Sequence, residues 1–189
     1  MGLDMYLTKK IYVGAEYEFN NVKGNIDIES KGRKLPIDFN KVKNIEEEVA
    51  YWRKANAIHN WFVQNVQDGK DDCRDYYVPK DKLKELLDIC KEIKRKVIMK
   101  DDKVVNGQRL NENGEWENIL EDGKIIANPE EIAELLPTTN GFFFGSTDYD
   151  EYYMMDIDYT IQVLEEEMKF IKKCEEEYIW VSYYYSSSW

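Results

Sequence analysis

The spacing of apolar residues changes twice along the chain, and this limits the fold more than any other feature of the sequence. Apolar and polar residues alternate over 3–7, 11–19 and 26–29, which is typical of strands with one buried face. From residue 50 the apolar spacing becomes three and four residues, which indicates helices, and residues 178–185 return to a β-branched and aromatic run. We therefore predict an α+β fold, with a mainly antiparallel sheet and three or four helices packed on one face.

Apolar spacing and capping residues indicate where individual strands and helices lie. We expect residues 3–7 and 11–19 to form an antiparallel pair, and one helix to cover 50–66. A second helix is expected after Pro79, because its apolar stripe recurs at helical spacing. A short helix should follow Asn128, a residue type that caps helix starts.

The segment 141–145 is a run of three phenylalanines between glycines, which favours a buried strand. We expect Ser146, Thr147 and Asp148 to cap a long helix after it. The aromatic run over 178–185 predicts a strand at or near the centre of the sheet.

The length of 189 residues suits a single domain over 1–189, and 43% hydrophobic residues are enough to form a core. Residues 100–127 are rich in Asn, Gly and acidic side chains and have little apolar periodicity. We interpret this segment as a hairpin or a mobile insertion.

Charge is unevenly distributed along the chain. Residues 1–100 contain 20 basic and 17 acidic side chains, whereas residues 101–189 contain 6 and 21. The acidic half argues against direct nucleic-acid binding and favours basic partners. The alternative is a solvated surface that only keeps the protein in solution. No apolar stretch is long enough to span a membrane and the first twenty residues lack a signal-peptide core, so we expect no membrane partner and a cytoplasmic location.

The segment 51–62 contains the one histidine of the chain and two of its five tryptophans. On a helix, Arg53, Asn56 and Asn60 would share a face that suits a ligand with a π-face and hydrogen-bonding edges. The alternative is that these polar groups satisfy buried partners and the tryptophans fill the core. The candidate ligand-binding residues here are Trp52, Arg53, Lys54, Asn56, His59 and Asn60.

Two further segments join the candidate ligand site. A helix start after 141–148 would offer free N–H groups to an anion, although ordinary capping is the alternative. The terminal aromatic and serine residues are expected to be docked, since a frayed end would expose them, although serine-rich ends are also common as linkers. These segments add Phe144, Ser146, Thr147, Tyr185, Ser187 and Trp189.

Signals for catalysis and cofactors are weak. There is no nucleophile elbow, zinc-protease motif or metal-ligand spacing, so we assign no catalytic residue, no metal site and no cofactor. Cys90 and Cys174 lie on apolar stripes and are expected in the core. A thiol nucleophile built from Cys73, His59 and Asp72 remains the enzymatic alternative.

Several segments together resemble a family of uncharacterised bacteriophage and prophage proteins. They are the opening residues MGLDMYL, the segment YWRKANAIH with the following Trp61 and Phe62, Asp72 with Cys73, the segment GFFFG and the closing YSSSW. The resemblance spans most of the chain except 100–127. It implies a small accessory phage protein that acts inside the bacterial host cell.

Three functional hypotheses follow. The first is a binding protein whose pocket takes a small nucleotide-like ligand, in the phage setting a sponge for a nucleotide signal of host defence. The second is an acidic inhibitor that mimics nucleic acid and blocks a basic host protein through Glu165–Glu167 and Glu175–Glu177. The third is a weak thiol- or histidine-dependent hydrolase. We favour binding over catalysis. A homo-oligomer is possible.

Overall fold

The computed structural model describes residues 2–14 and 22–189. In these residues a central sheet has the strand order β4-β1-β8-β5, with every neighbouring pair antiparallel. The predicted α+β class with a mainly antiparallel sheet is confirmed. The strands of this sheet are β1 (Asp4–Tyr12), β4 (Asn44–Arg53), β5 (Tyr76–Val78) and β8 (Val181–Ser188).

Two hairpins of the described residues lie outside the central sheet. A short one pairs β2 (Ile28–Ser30) with β3 (Arg33–Leu35). A long one pairs β6 (Met99–Leu110) with β7 (Trp116–Ile126), so the segment 100–127 is largely a β-ribbon. Its inner end joins the core through Val104 and Ile126, whereas Leu110 and Trp116 at its tip are exposed.

The helices are α1 (Asn56–Asn65), α2 (Lys80–Lys96), α3 (Pro129–Leu135) and α4 (Glu151–Glu176). They cover one face of the central sheet, where Met5, Leu7, Tyr183 and Tyr185 are fully buried. Because side chains alternate along a strand, Tyr6 and Tyr184 point to the opposite, more exposed face. None of the described helices is both long and apolar enough to cross a membrane.

The predicted helix over 50–66 is wrong in its first third. β4 continues to Arg53 because residues 44–53 pair with β1, and Trp52 lies opposite Met5. Lys54 then adopts a positive φ of 61°, which ends the strand, and the helix begins at Asn56. Arg53 therefore does not share a helical face with Asn60, and tertiary strand pairing has overridden the local helical spacing.

The predicted pairing of 3–7 with 11–19 is also wrong. Residues 4–12 form one continuous strand, whose neighbours are β4 and β8. Residues 15–19 lie outside the described residues. The predicted central position of the last strand is confirmed, since β8 lies between β1 and β5.

The segment 141–145 is a turn and not the predicted buried strand, with Phe142 and Phe143 exposed and Phe144 buried. The long helix is capped by Asp150, whose carboxylate accepts from the backbone N–H groups of Tyr152 and Tyr153. Ser146, Thr147 and Asp148 therefore precede the helix as a loop and do not cap it.

Candidate functional site

A cleft of about 760 Å³ lies beside the start of α1. Its walls come from the end of β4, the loop before α4, the first turns of α4 and the long hairpin. The lining residues are Arg53, Lys54, Asn56, Ala57, Ile58, Val105, Asn106, Gly107, Gln108, Asn118, Thr138, Phe143, Gly145, Ser146, Asp148, Asp150, Tyr152, Tyr153, Met155, Asp156 and Ile157.

Two adjacent cations line this cleft. Arg53 is the last residue of β4 and Lys54 follows it, and both side chains are exposed. In the part of the chain that the structure describes, neither forms an ion pair, although exposed lysines and arginines elsewhere commonly do. Their charges are therefore available to an anion in the cleft.

The turn that packs against Lys54 has an unusual backbone. Phe143 has a φ of 60° and half-exposes its ring, and Gly145 has a φ of 91°. A Cβ at Gly145 would lie 3.0 Å from Cβ of Lys54, and this tight contact together with the positive φ would strain any other residue here. Bulky residues adopt positive φ rarely, and such strain concentrates at functional sites.

Asn56 fixes this turn to the start of α1. Its Nδ2 donates to the backbone oxygens of Ser146 at 2.7 Å and Phe144 at 3.2 Å, and its Oδ1 accepts from the backbone N–H of Thr139 at 3.0 Å. The amide is buried and fully used. Asn56 therefore shapes the cleft wall through internal bonds.

The start of α1 also borders the cleft. The N-cap residue is Ala55, and the N–H of Asn56 donates to the backbone oxygen of Lys54 at 2.8 Å. Among the described residues, no side chain bonds to the next two N–H groups, those of Ala57 and Ile58. Ala57 and Ile58 of that turn line the cleft. Uncapped N–H groups and the positive end of the helix dipole both favour negative charge here.

Three carboxylates lie at the α4 side of the cleft. Asp148 accepts from the Ser146 hydroxyl at 2.6 Å, and Asp150 caps α4. Burial raises the pKa of Asp150, and its bonds to the backbone N–H groups of α4 oppose this rise. Burial, with a smaller effect of the Asp150 charge, raises the pKa of Asp156 to about 7.

A polar network that includes the buried His59 and Tyr185 lies behind the same turn. His59 Nδ1 is 2.7 Å from the Tyr185 hydroxyl, and His59 Nε2 is 3.1 Å from Asp71 Oδ2. Trp189 Nε1 donates to the other oxygen of Asp71 at 3.1 Å. Because a carboxylate only accepts, the tautomer with the proton on Nε2 satisfies both bonds, with Tyr185 donating to Nδ1.

Aromatic rings enclose this network. The Phe144 ring meets the His59 ring edge-on at 5.1 Å and lies 6.3 Å from the Trp189 ring. Tyr185 stacks on Phe62 at 4.0 Å. Burial, followed by the Asp71 charge, raises the pKa of Tyr185 well above its usual value, so the phenol stays protonated.

The three segments singled out in the sequence therefore come together. Asn56 and His59 of α1 contact the turn at Phe144, and that turn contacts the terminal Trp189. The candidate residues nevertheless divide into two groups. Arg53, Lys54, Asn56 and Ser146 line the cleft, whereas Phe144, His59, Tyr185, Ser187 and Trp189 lie behind it.

The remaining candidates have other positions. Trp52 is buried and its Nε1 donates to the Thr160 hydroxyl at 2.9 Å, so it ties the sheet to α4. Asn60 is half-buried on α1, and Thr147 is exposed in the loop. Neither Asn60 nor Thr147 lines the cleft.

Sequence reasoning missed the hairpin wall and the α4 residues of the cleft. Tyr152 and Asp156 are one helical turn apart and face the same way, but their spacing alone is that of any helix. Phe143 was part of a segment interpreted as a buried strand. The signal that could have found it is the glycine on either side of a phenylalanine run, which also permits a tight turn.

The thiol alternative finds little geometric support. Cys73 is exposed, while Cys90 and Cys174 are buried as predicted. Both ring nitrogens of His59 are engaged by Tyr185 and Asp71. His59 therefore has no ring nitrogen available to take a proton from a thiol.

Comparison of the chain with family models, with curated proteins and with solved structures found no match. The resemblance to phage and prophage proteins therefore stays a prediction.

Proposed function

We propose that this protein binds a small nucleotide-like ligand in the cleft beside α1. The observation that carries the proposal is the pair of cations, Arg53 and Lys54, which lack ion-pair partners among the described residues and lie next to the uncapped start of α1. A phosphate group at this position would be neutralised by both side chains and by the helix N–H groups.

Aromatic rings in the same cleft suit the other end of such a ligand. Phe143 is 51% exposed and Tyr152 is 39% exposed, although both side chains line the cleft. Exposed rings beside a cavity offer stacking surfaces for a base. The strained φ of Phe143 supports a role for its ring outside the core.

Taken with the resemblance to phage proteins, this site favours a sponge that sequesters a nucleotide signal of host defence. A sequestering protein returns its ligand unchanged. We therefore expect the nucleotide recovered from the denatured complex to have its original mass, whereas a hydrolase would return products.

The acidic-inhibitor alternative is less favoured by the surface charges. Glu167 is buried against Lys9, Glu165 pairs with Lys91 at 2.7 Å, and Glu175 pairs with Lys80 at 3.2 Å. Pairing within the chain reduces the charge that these glutamates could offer to a basic host protein.

The test is isothermal titration calorimetry with GMP, AMP and their 3′,5′-cyclic forms. We expect at least one probe to bind, and its affinity to fall about tenfold or more in the double variant Arg53→Ala with Lys54→Ala, because two charged contacts to phosphate are removed. The matched control is Arg33→Ala with Lys34→Ala, an exposed Arg-Lys pair on β3 away from the cleft.

The control variant should bind like the unmodified protein. Absence of binding by every probe, or an equal loss in the two double variants, would contradict the proposed function.

A further inference from the structure

Asp156 is the one cleft carboxylate for which the described residues provide no partner. Asp148 bonds to Ser146, and Asp150 bonds to the first turn of α4. In the regions 2–14 and 22–189, the side chain of Asp156 forms neither a hydrogen bond nor an ion pair. It is half-buried and lines the cleft one turn beyond Tyr152.

An unpartnered, half-buried carboxyl is unfavourable for the fold alone. Burial removes part of the water around the Asp156 carboxyl, and this is the main reason why its pKa is raised. The like charge of Asp150 raises this pKa further. Within the described ranges, no hydrogen bond or ion pair requires an acid at this position of α4. A group that lowers stability without a structural role is a candidate for ligand recognition.

The chemistry of a carboxylate limits which base it can recognise. Its two oxygens both accept hydrogen bonds, so the best match is an edge with two adjacent donors. Guanine presents such an edge in its N1–H and its 2-amino group. Adenine and cytosine place an acceptor next to their amino group, and uracil places its N–H between two carbonyl oxygens.

The geometry points to Asp156 as the residue that selects a guanine nucleotide in the cleft. This inference rests on the proposed function. The guanine edge bonds both oxygens of Asp156, the ring lies against Tyr152, and the phosphate meets Arg53 and Lys54. The two bonds supply the partner that Asp156 lacks, and they favour its ionised form.

The test compares GMP, IMP, XMP and AMP by calorimetry at pH 8, on the unmodified protein and on Asp156→Asn. IMP lacks the 2-amino donor, so we expect it to bind about tenfold more weakly than GMP. In Asp156→Asn, the amide group opposes the 2-amino group of guanine and matches the 2-oxo group of xanthine. We therefore expect Asp156→Asn to bind GMP about tenfold or more weakly than the unmodified protein does, and to bind XMP more tightly.

The matched control is Asp158→Asn, an exposed acid on the same helix that pairs with Lys94 and does not line the cleft. It should leave the order of the nucleotides unchanged. A cooperative thermal transition verifies the fold of each variant.

The outcomes separate this inference from the proposed function. Binding of AMP as tight as that of GMP, or equal losses of GMP and AMP in Asp156→Asn, overturns the guanine assignment and leaves nucleotide binding in place. Absence of binding by all four nucleotides overturns both.

Discussion

At the scale of single residues, Asp156 connects stability with recognition. Its carboxyl has a pKa of about 7 in the folded protein against an ordinary value of 3.8, and burial is the main cause. Between these two values the folded state holds a proton that the unfolded state releases. The free energy of unfolding therefore falls as the pH rises from about 4 to about 7.

Replacing Asp156 with Asn should stabilise the protein above pH 7, where the carboxylate is ionised in both states. We expect a gain of about 1 kcal/mol, since solvent screens a half-buried group. The gain should disappear near pH 4, where both states are protonated. Thermal melts at pH 4, 6 and 8 measure it, and a gain of the same size at every pH would show that ionisation is not its cause.

At the scale of elements, a buried ion pair ties the sheet to α4. Lys9 of β1 lies 3.0 Å from Glu167 of α4 and 3.0 Å from Glu47 of β4, and Tyr183 donates to Glu167 at 2.6 Å. Burial lowers the pKa of Lys9, but its bonds with Glu47 and Glu167 outweigh this and raise the pKa overall. The lysine is therefore charged inside the core.

Lys9→Met should be strongly destabilising because it leaves Glu167 buried without its cation. We expect the free energy of unfolding, measured in urea, to fall by about 3 kcal/mol. Adding Glu167→Gln removes the uncompensated charge and keeps an acceptor for Tyr183, so the double variant should recover at least half of this loss.

The matched control is Lys10→Met. Lys10 is the next residue on β1, points to the other face of the sheet and pairs with the exposed Glu46. The free energy of unfolding of Lys10→Met should be lower by about 1 kcal/mol or less. A double variant no more stable than Lys9→Met would contradict the ion-pair explanation.

At the scale of the whole molecule, the cleft combines segments far apart in the chain. The hairpin wall at 105–108 and 118 faces α1 and α4, which belong to the sheet-packed core. The tip of the hairpin is exposed and adds little to that core. Stability and ligand binding should therefore respond differently to loss of the hairpin.

Replacing residues 106–119 with Asn-Gly tests this separation. Val105 and Leu120 are paired across the hairpin, so a two-residue turn can join them. We expect Tm to change by about 4 °C or less, because Val104 and Ile126 stay buried. Nucleotide affinity should fall because the variant lacks the hairpin residues that form one wall of the cleft. Unchanged affinity would remove the hairpin from the site.

The sequence predicted elements well where local spacing and tertiary environment agree. The stripe of α2 is one example, since Leu83, Leu86, Leu87, Cys90 and Ile93 are all buried. The helix predicted from the sequence was wrong at residues 50–53, because pairing with β1 decides the structure there. Asp156 could not be identified as a cleft residue, because its exposure depends on a hairpin and a loop that no local pattern positions.

The order of strands in the sheet also has a consequence for synthesis. β1 is made first among the strands, yet one of its two neighbours is β8, which is made last of them. During translation one hydrogen-bonding edge of β1 lacks its partner strand until residues 181–188 leave the ribosome. The central sheet is therefore completed only after that point, and the buried residues Val181, Tyr183 and Tyr185 join the core late.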